Sequence, residues 1–396
     1  MGELPPRVRR ILLAVIAPLV VATVVGMIVL WPRGSLPQRP PTFGLETTLE
    51  TARVTSVRLM PCGGSTSQVA PTCQAAEVEV TSGPDKGTTA ALELSTGAAS
   101  PDLERGDPIL VGRSPDPVLG TIYSFADYQR RAPLILLALL FTVVVVAVGR
   151  LKGLTALIGL AITFVVLVKF VLPAILQGES PLLVAVVGSA AVMLVIMYLA
   201  HGVNGQTTVA VLGTLASLIL IAVLSALFVE IGRIVNLGSE EATLLQTSAA
   251  QVNLRGLILG GIIIGSLGVL NDVTVTQASA VWALRATDPT ASVGALYRSA
   301  MRIGRDHIAS VVDTLVLAYA GASLPLLLLF TLASRPVGDI LTGALVAEEI
   351  VRTLVGSIGL VLSVPITTGL AAVVATQAGV TDKAGGAPAG RGLRSE

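Results

Sequence analysis

Gly256-Leu-Ile-Leu-Gly-Gly-Ile-Ile-Ile-Gly-Ser-Leu-Gly-Val-Leu-Asn-Asp272 is the stretch that decides the fold. No charged residue appears in it before Asp272, and the run continues through Val273-Thr-Val-Thr276-Gln277-Ala-Ser279. An apolar run of about 20 residues is what an α-helix needs to cross a bilayer. Gly256/Gly260 and Gly261/Gly265 have the small-xxx-small spacing that lets a neighbouring helix approach closely, and Gly268 adds a further small residue. From Gly256 to Leu284 a single helix would measure roughly 43 Å, against a hydrocarbon core of about 30 Å. Such a helix is tilted, broken near Asn271-Asp272, or extended into the cytoplasm.

Working outward, seven other segments have the same character: Ile11–Trp31, Leu134–Val148, Leu154–Leu172, Leu182–Leu199, Thr208–Phe228, Ile308–Phe330 and Leu354–Val374. With Leu257–Trp282 they make eight expected spans. Whole-chain composition agrees. Only 13% of residues are charged, about half the usual 25% of soluble domains, and mean hydropathy is +0.82. The fold class expected is a mainly α, polytopic membrane bundle.

Residues 32 to 132 interrupt this pattern with Pro, Gly, Ser, Thr and charges. Alternating runs at Glu50–Leu59, Ala75–Thr81, Thr88–Leu94, Pro108–Gly112 and Thr121–Ser124 suit half-buried strands. Gly83-Pro84-Asp85-Lys86-Gly87 reads as a turn. A small all-β domain follows, an OB-like barrel or a sandwich, between the first and second spans. The organisation expected is 1–31 as cytoplasmic N-terminus and uncleaved anchor, 32–132 as an extracytoplasmic β domain, 133–376 as the membrane bundle, and 377–396 as a disordered cytoplasmic tail.

Orientation comes from Lys and Arg, which favour the cytoplasmic side. Arg7, Arg9 and Arg10 precede the first span, and alternation places Arg150, Lys152, Arg285, Arg298, Arg302 and Arg305 inside. Both termini are then cytoplasmic, although Arg130, Arg131, Arg233, Arg255, Arg335 and Arg352 fall outside. Arg298, Arg302 and Arg305 share one helical face and point to anionic lipid headgroups as partners; a solvated helix face is the alternative. Cys62 and Cys73 flank a Gly/Ser/Thr-rich loop on the outer side, where a disulfide is expected over two free thiols. His201 and His307 fall across the membrane from these cysteines, so no metal site and no cofactor is expected.

Ionisable residues inside a span are costly and tend to face a cavity or a partner. Asp272, Thr276 and Ser279 share a helical face. Asp313 sits in the next span, beside Ser310 and Thr314. By helical rise Asp272 is about 20 Å from Arg285 and Asp313 about 12 Å from Arg305. Both carboxylates then lie in the cytoplasmic half. The ion, proton or substrate pathway expected comprises Asp272, Asp313, Asn271, Thr276, Gln277, Ser310 and Thr314. The plainer alternative is two separate carboxylates at helix ends. Gly256, Gly260, Gly261, Gly265 and Gly268 are the expected packing positions.

The chain is not expected to be an enzyme. Walker A, G-x-S-x-G and H-E-x-x-H motifs are missing from it. With 4% aromatics and a net charge of +1 nothing favours nucleic acid. An intramembrane aspartyl enzyme would want a G-x-G-D context, which neither aspartate has.

The chain resembles the YibE/F-like family of bacterial multipass membrane proteins from about Thr51 to Ala372. In the soluble part the resemblance rests on Ala52-Arg-Val-Thr-Ser-Val57, Val80-Thr-Ser-Gly-Pro-Asp-Lys-Gly87 and Gly106-Asp107. In the membrane part it rests on Gly149-Arg-Leu-Lys-Gly153, on Gly261-Ile-Ile-Ile-Gly-Ser-Leu-Gly268 leading to Asp272, and on Thr314-Leu-Val-Leu-Ala-Tyr-Ala-Gly-Ala-Ser-Leu-Pro-Leu-Leu-Leu-Leu-Phe330. Thr276-Gln277 and the Cys62/Cys73 loop depart from the family pattern. The resemblance implies a cell-membrane protein with a soluble domain outside, and it supplies no substrate. The leading expectation is a secondary transporter or permease, coupled to protons or a cation through the aspartates. The alternative is a non-catalytic scaffold of an envelope-assembly complex that grips a partner, or a second copy of itself, with its outer domain.

Overall fold

The computed structural model describes residues 5–34, 48–61, 72–95, 101–116, 120–235, 240–332 and 336–378. Chain contacts divide it into two compact units, residues 38–148 and residues 1–37 with 149–396.

The first unit holds β1 (Thr48–Pro61), β2 (Thr72–Val80), β3 (Thr89–Ser95), β4 (Pro108–Asp116) and β5 (Gly120–Tyr128). All five expected strands are present, most of them longer than their alternating cores. The sheet is antiparallel in the order β3-β2-β1-β4-β5, and β3 comes back against β5 to give a nearly closed barrel. Alternation explains the interior. Ala52 and Val54, Ala76 and Val78, Ile109 and Val111 all point inward and are buried, while their chain neighbours face out.

Glu50 is buried too, and its carboxylate lies against Gly83 in the β2–β3 turn. Arg113 donates to Asp85 at 2.6 Å and stands 3.8 Å from Glu50. The Arg113 guanidinium, and then the Tyr123 hydroxyl, hold the Asp85 carboxyl below its usual range. Gly83 has φ +80°, and a Cβ there would fall 2.3 Å from the Glu50 carboxylate. Gly83→Ala is therefore expected to cost the domain about 1–3 kcal/mol. Limited proteolysis of the full-length protein should show faster cleavage within residues 48–128. Cys73 is buried on β2; Cys62, and with it the expected pairing, lies outside the described residues.

Both units share the long helix α2 (Arg131–Val166), which continues through a π-helical turn (Leu167–Val171) into α3 (Leu172–Leu176). The apolar run from Arg131 to Leu176 is 46 residues, roughly 69 Å as helix. It is broken at Arg150, which has φ 51° and ψ −131°.

The second unit opens with α1 (Pro6–Val29) and contains α4 (Pro181–His201), α5 (Gly205–Ile231), α6 (Glu240–Ser248), α7 (Leu254–Thr287), α8 (Val293–Ala322), α9 (Leu324–Leu332), α10 (Val337–Thr342) and α11 (Ala344–Gln377). Asn204, Asn253 and Ser292 cap α5, α7 and α8 by accepting from backbone N–H groups in the first turn. α5, α7 and α11 form the centre, with α4 and α8 packed on it.

Small and hydroxyl residues make this centre possible. A Cβ on Gly213 would sit 2.1 Å from Thr367 Oγ1, and one on Gly359 would sit 2.1 Å from Ile221 Cγ1. Hydroxyls then bond across the seams. Thr214 and Thr274 share a 2.7 Å contact, and Thr368 Oγ1 donates to Gln277 Oε1 at 3.0 Å. In hydrocarbon such bonds satisfy groups that have no water to turn to.

Among the described residues, six helices are long and apolar enough to cross a membrane, against the eight spans expected. Two features account for the difference. The segments Leu134–Val148 and Leu154–Leu172 merge into one run despite the break at Arg150. α8 carries Arg298, Arg302, Arg305, Asp306 and Asp313, and its apolar part is split from α9 at Ser323.

Candidate functional site: a chamber between the π-helical turn, α4 and α7

Pro173 starts the local geometry. It has no N–H to offer the carbonyl of Lys169, so the turn before it widens. The N–H of Leu172 reaches back five residues to the carbonyl of Leu167. Widened turns of this kind are frequent at functional sites. On α4, Gly188 lets the turn approach: a Cβ there would meet Val171 at 2.9 Å.

A cavity of about 270 Å³ opens beside this contact, bounded by the widened turn, by Gly188 and Ser189 of α4 and by Gly265, Gly268 and Asn271 of α7. Most of its wall is hydrocarbon. Two residues of that wall, Ser189 and Asn271, each carry an oxygen, Oγ and Oδ1, that is buried without a hydrogen-bond partner. Ser189 is only 3% exposed. An orphaned buried polar group costs about 1–3 kcal/mol, so a pair of them in one chamber calls for a ligand or solvent.

Asp272 and Asp313 are both exposed on the single chain, and neither makes a hydrogen bond or ion pair with a described residue. Two contacts fix the register of α7 against α8. Position 304 faces Gln277, and position 265 faces the Tyr319 hydroxyl, 3.5 Å from where a Cβ would be. Consecutive helices running in opposite directions then put Asp272 near the level of Ser310, one turn from Asp313. The register thus places the two aspartates about one helical turn apart in depth. Asp272 stands one turn beyond Gly268, and helical side chains lean towards the helix N-terminus. Asp272 itself does not line the chamber, although Gly268, one turn back on the same face of α7, does.

The other expected residues divide between faces. Asn271 lines the chamber. Gln277 is fully buried; its carbonyl accepts from Thr368 and its Nε2 has no partner. Thr276 is half-buried, and Ser310 and Thr314 are exposed, Thr314 donating to the Ser310 carbonyl at 2.8 Å. Gly256 and Gly260 pack against Pro181, where a Cβ would meet the ring at 2.9 Å and the carbonyl at 3.2 Å. Gly261 and Gly268 have open space around them. Arg298, Arg302 and Arg305 form an exposed face of α8, opposite the buried Leu296, Ala300 and Gly304.

Sequence reasoning missed Ser189 and the widened turn. The available signals were faint: Gly188-Ser189 as a small pair in an apolar run, and Pro173 four residues beyond Lys169. No group of three or more His, Cys, Asp or Glu residues suited to a metal occurs among the described residues.

Apolar helices of spanning length around a core of small and hydroxyl residues make this a helical membrane protein of the polytopic class. The chain belongs to the YibE/F-like protein family, whose model matches residues 137–377, more than half of its length. The β unit precedes the matched stretch, although the sequence resemblance begins at Thr51. No curated protein and no solved structure matches the chain.

Proposed function

We propose that the protein is a secondary transporter or permease that moves a small solute through the α4–α7 chamber, coupled to protons or a cation through Asp272 and Asp313. The observation that carries this reading is the chamber itself, with Ser189 and Asn271 in its wall, each carrying a buried oxygen without a hydrogen-bond partner, and with Asp272 exposed next to Asn271 in the chain. The reading is non-enzymatic. Its setting is a bacterial cytoplasmic membrane, crossed eight times, with both termini inside and the β domain outside. The break at Arg150 supports two crossings within Arg131–Leu176. The stretch 308–332 supplies another despite Asp313. The exposed face of Arg298, Arg302 and Arg305 would then rest on anionic headgroups. A Cys62–Cys73 disulfide belongs to the same topology.

Metabolite and metal profiling of a deletion strain tests the function. Complementation with the wild type should restore the level of one solute class, and Asp272→Asn at equal expression should not. A scaffold gives the opposite pattern. Removal of residues 38–131 would abolish complementation while Asp272→Asn stayed fully active.

A further inference from the structure

We infer that the chamber selects an uncharged molecule with a short hydrocarbon body and one N–H or O–H group, such as a primary amide or an alcohol. This rests on the transporter reading and names the substrate class that the sequence leaves open. The wall is the first argument. Leu167, Val192, Met193 and Ile196 line it, and no charged side chain does. An ion entering it would lose its water and gain no counter-charge, which strongly disfavours it.

The second argument is the pair of orphaned atoms. Asn271 Oδ1 accepts only, so its partner must donate; Ser189 Oγ can donate or accept. A group that both donates and accepts, as an amide or a hydroxyl does, matches the hydrogen-bonding capacity of either residue. An alkane satisfies neither. The third argument is size. At roughly 30 Å³ for each water-sized group, the cavity of about 270 Å³ takes a compact organic molecule of about nine heavy atoms. Asp272 is not among the residues that line this chamber. Charge movement and solute recognition therefore fall on different residues, Asp272 for the one and Ser189 with Asn271 for the other.

A charge series of equal shape tests the inference: hexanamide, hexanoate and hexylammonium, each titrated against the full-length protein in lipid nanodiscs. Saturation-transfer NMR reads binding, and protein-free nanodiscs subtract partitioning. The expected result is saturable binding of hexanamide alone. Asn271→Leu and Ser189→Ala should each weaken it about tenfold. Should either variant fail to fold, Gly268→Val covers the case. Position 268 has open space for a side chain, and filling it should block the chamber edge with the protein still folded. Equal binding of either charged probe overturns the inference. So does hexanamide binding that all three variants leave unchanged, which would place the probe in lipid. Because no flux is measured, a failure here leaves the transporter reading standing. Loss of that reading through the Asp272→Asn complementation would leave the binding data intact.

Discussion

Asp272→Asn is expected to reduce complementation of a deletion strain to the level of the empty vector while the protein folds and accumulates normally. The substitution keeps the side chain's size and removes its charge and its proton. Asp272 is exposed and bonds to no described residue, so nothing in the fold depends on it. Substitutions at such positions usually change stability by no more than about 0.5 kcal/mol. Thermal denaturation of the purified variant should therefore match the wild type. Asp313→Asn should give the same loss for the same reason, since the α7–α8 register sets the two aspartates within about one turn of each other in depth. The double variant separates shared from independent action. Groups that work as one unit are non-additive, so two carboxylates serving one proton path should leave the double variant no worse than either single one. If both Asn variants complement fully at normal expression, the carboxylate mechanism is wrong.

Gly359→Val should have the largest effect on stability. The α5–α11 seam is closed at this position, where a Cβ alone would stand 2.1 Å from Ile221 Cγ1 and 2.4 Å from its Cδ1. Ile221 is itself fully buried and fixed by the central cluster. Three added carbons cannot be absorbed without separating the helices. Overpacking of this kind typically costs about 1–3 kcal/mol and sometimes more, and here the backbones themselves must part. Size-exclusion chromatography should show loss of the monodisperse peak, and any surviving protein should melt earlier. Gly268→Val is the matched control. It adds the same side chain where there is open space, so the melting temperature should hold while transport falls. Equal stability of the two variants would contradict the packing described here.

The contrast between these glycines shows where sequence reading reached its limit. Gly256, Gly260, Gly261, Gly265 and Gly268 all have suitable spacing, yet only the first two lie tight against Pro181. Gly213 and Gly359, which close the central seams, have the same spacing to Ser217 and Ser363, so spacing alone does not separate a tight position from an open one. Asp272 was visible because a charge in an apolar run is conspicuous. Ser189 was not, because a lone hydroxyl in a span ordinarily bonds its own helix, as Thr163 does with the Gly159 carbonyl.

The sequence by itself determined the membrane class, the family, the five strands and the places where helices run. Each follows from a local property: hydropathy over about 20 residues, alternation with period two, or a recognisable motif. Tertiary structure decided which side of each helix faces inward. A helix that is apolar all round carries no stripe to set its rotation. α4 and α5 are of this kind, largely apolar on every side apart from Glu230 at the end of α5. Their orientation depends on which neighbour offers a gap of the right shape. That choice placed Ser189 and Asn271 in one chamber wall and left Asp272 outside it.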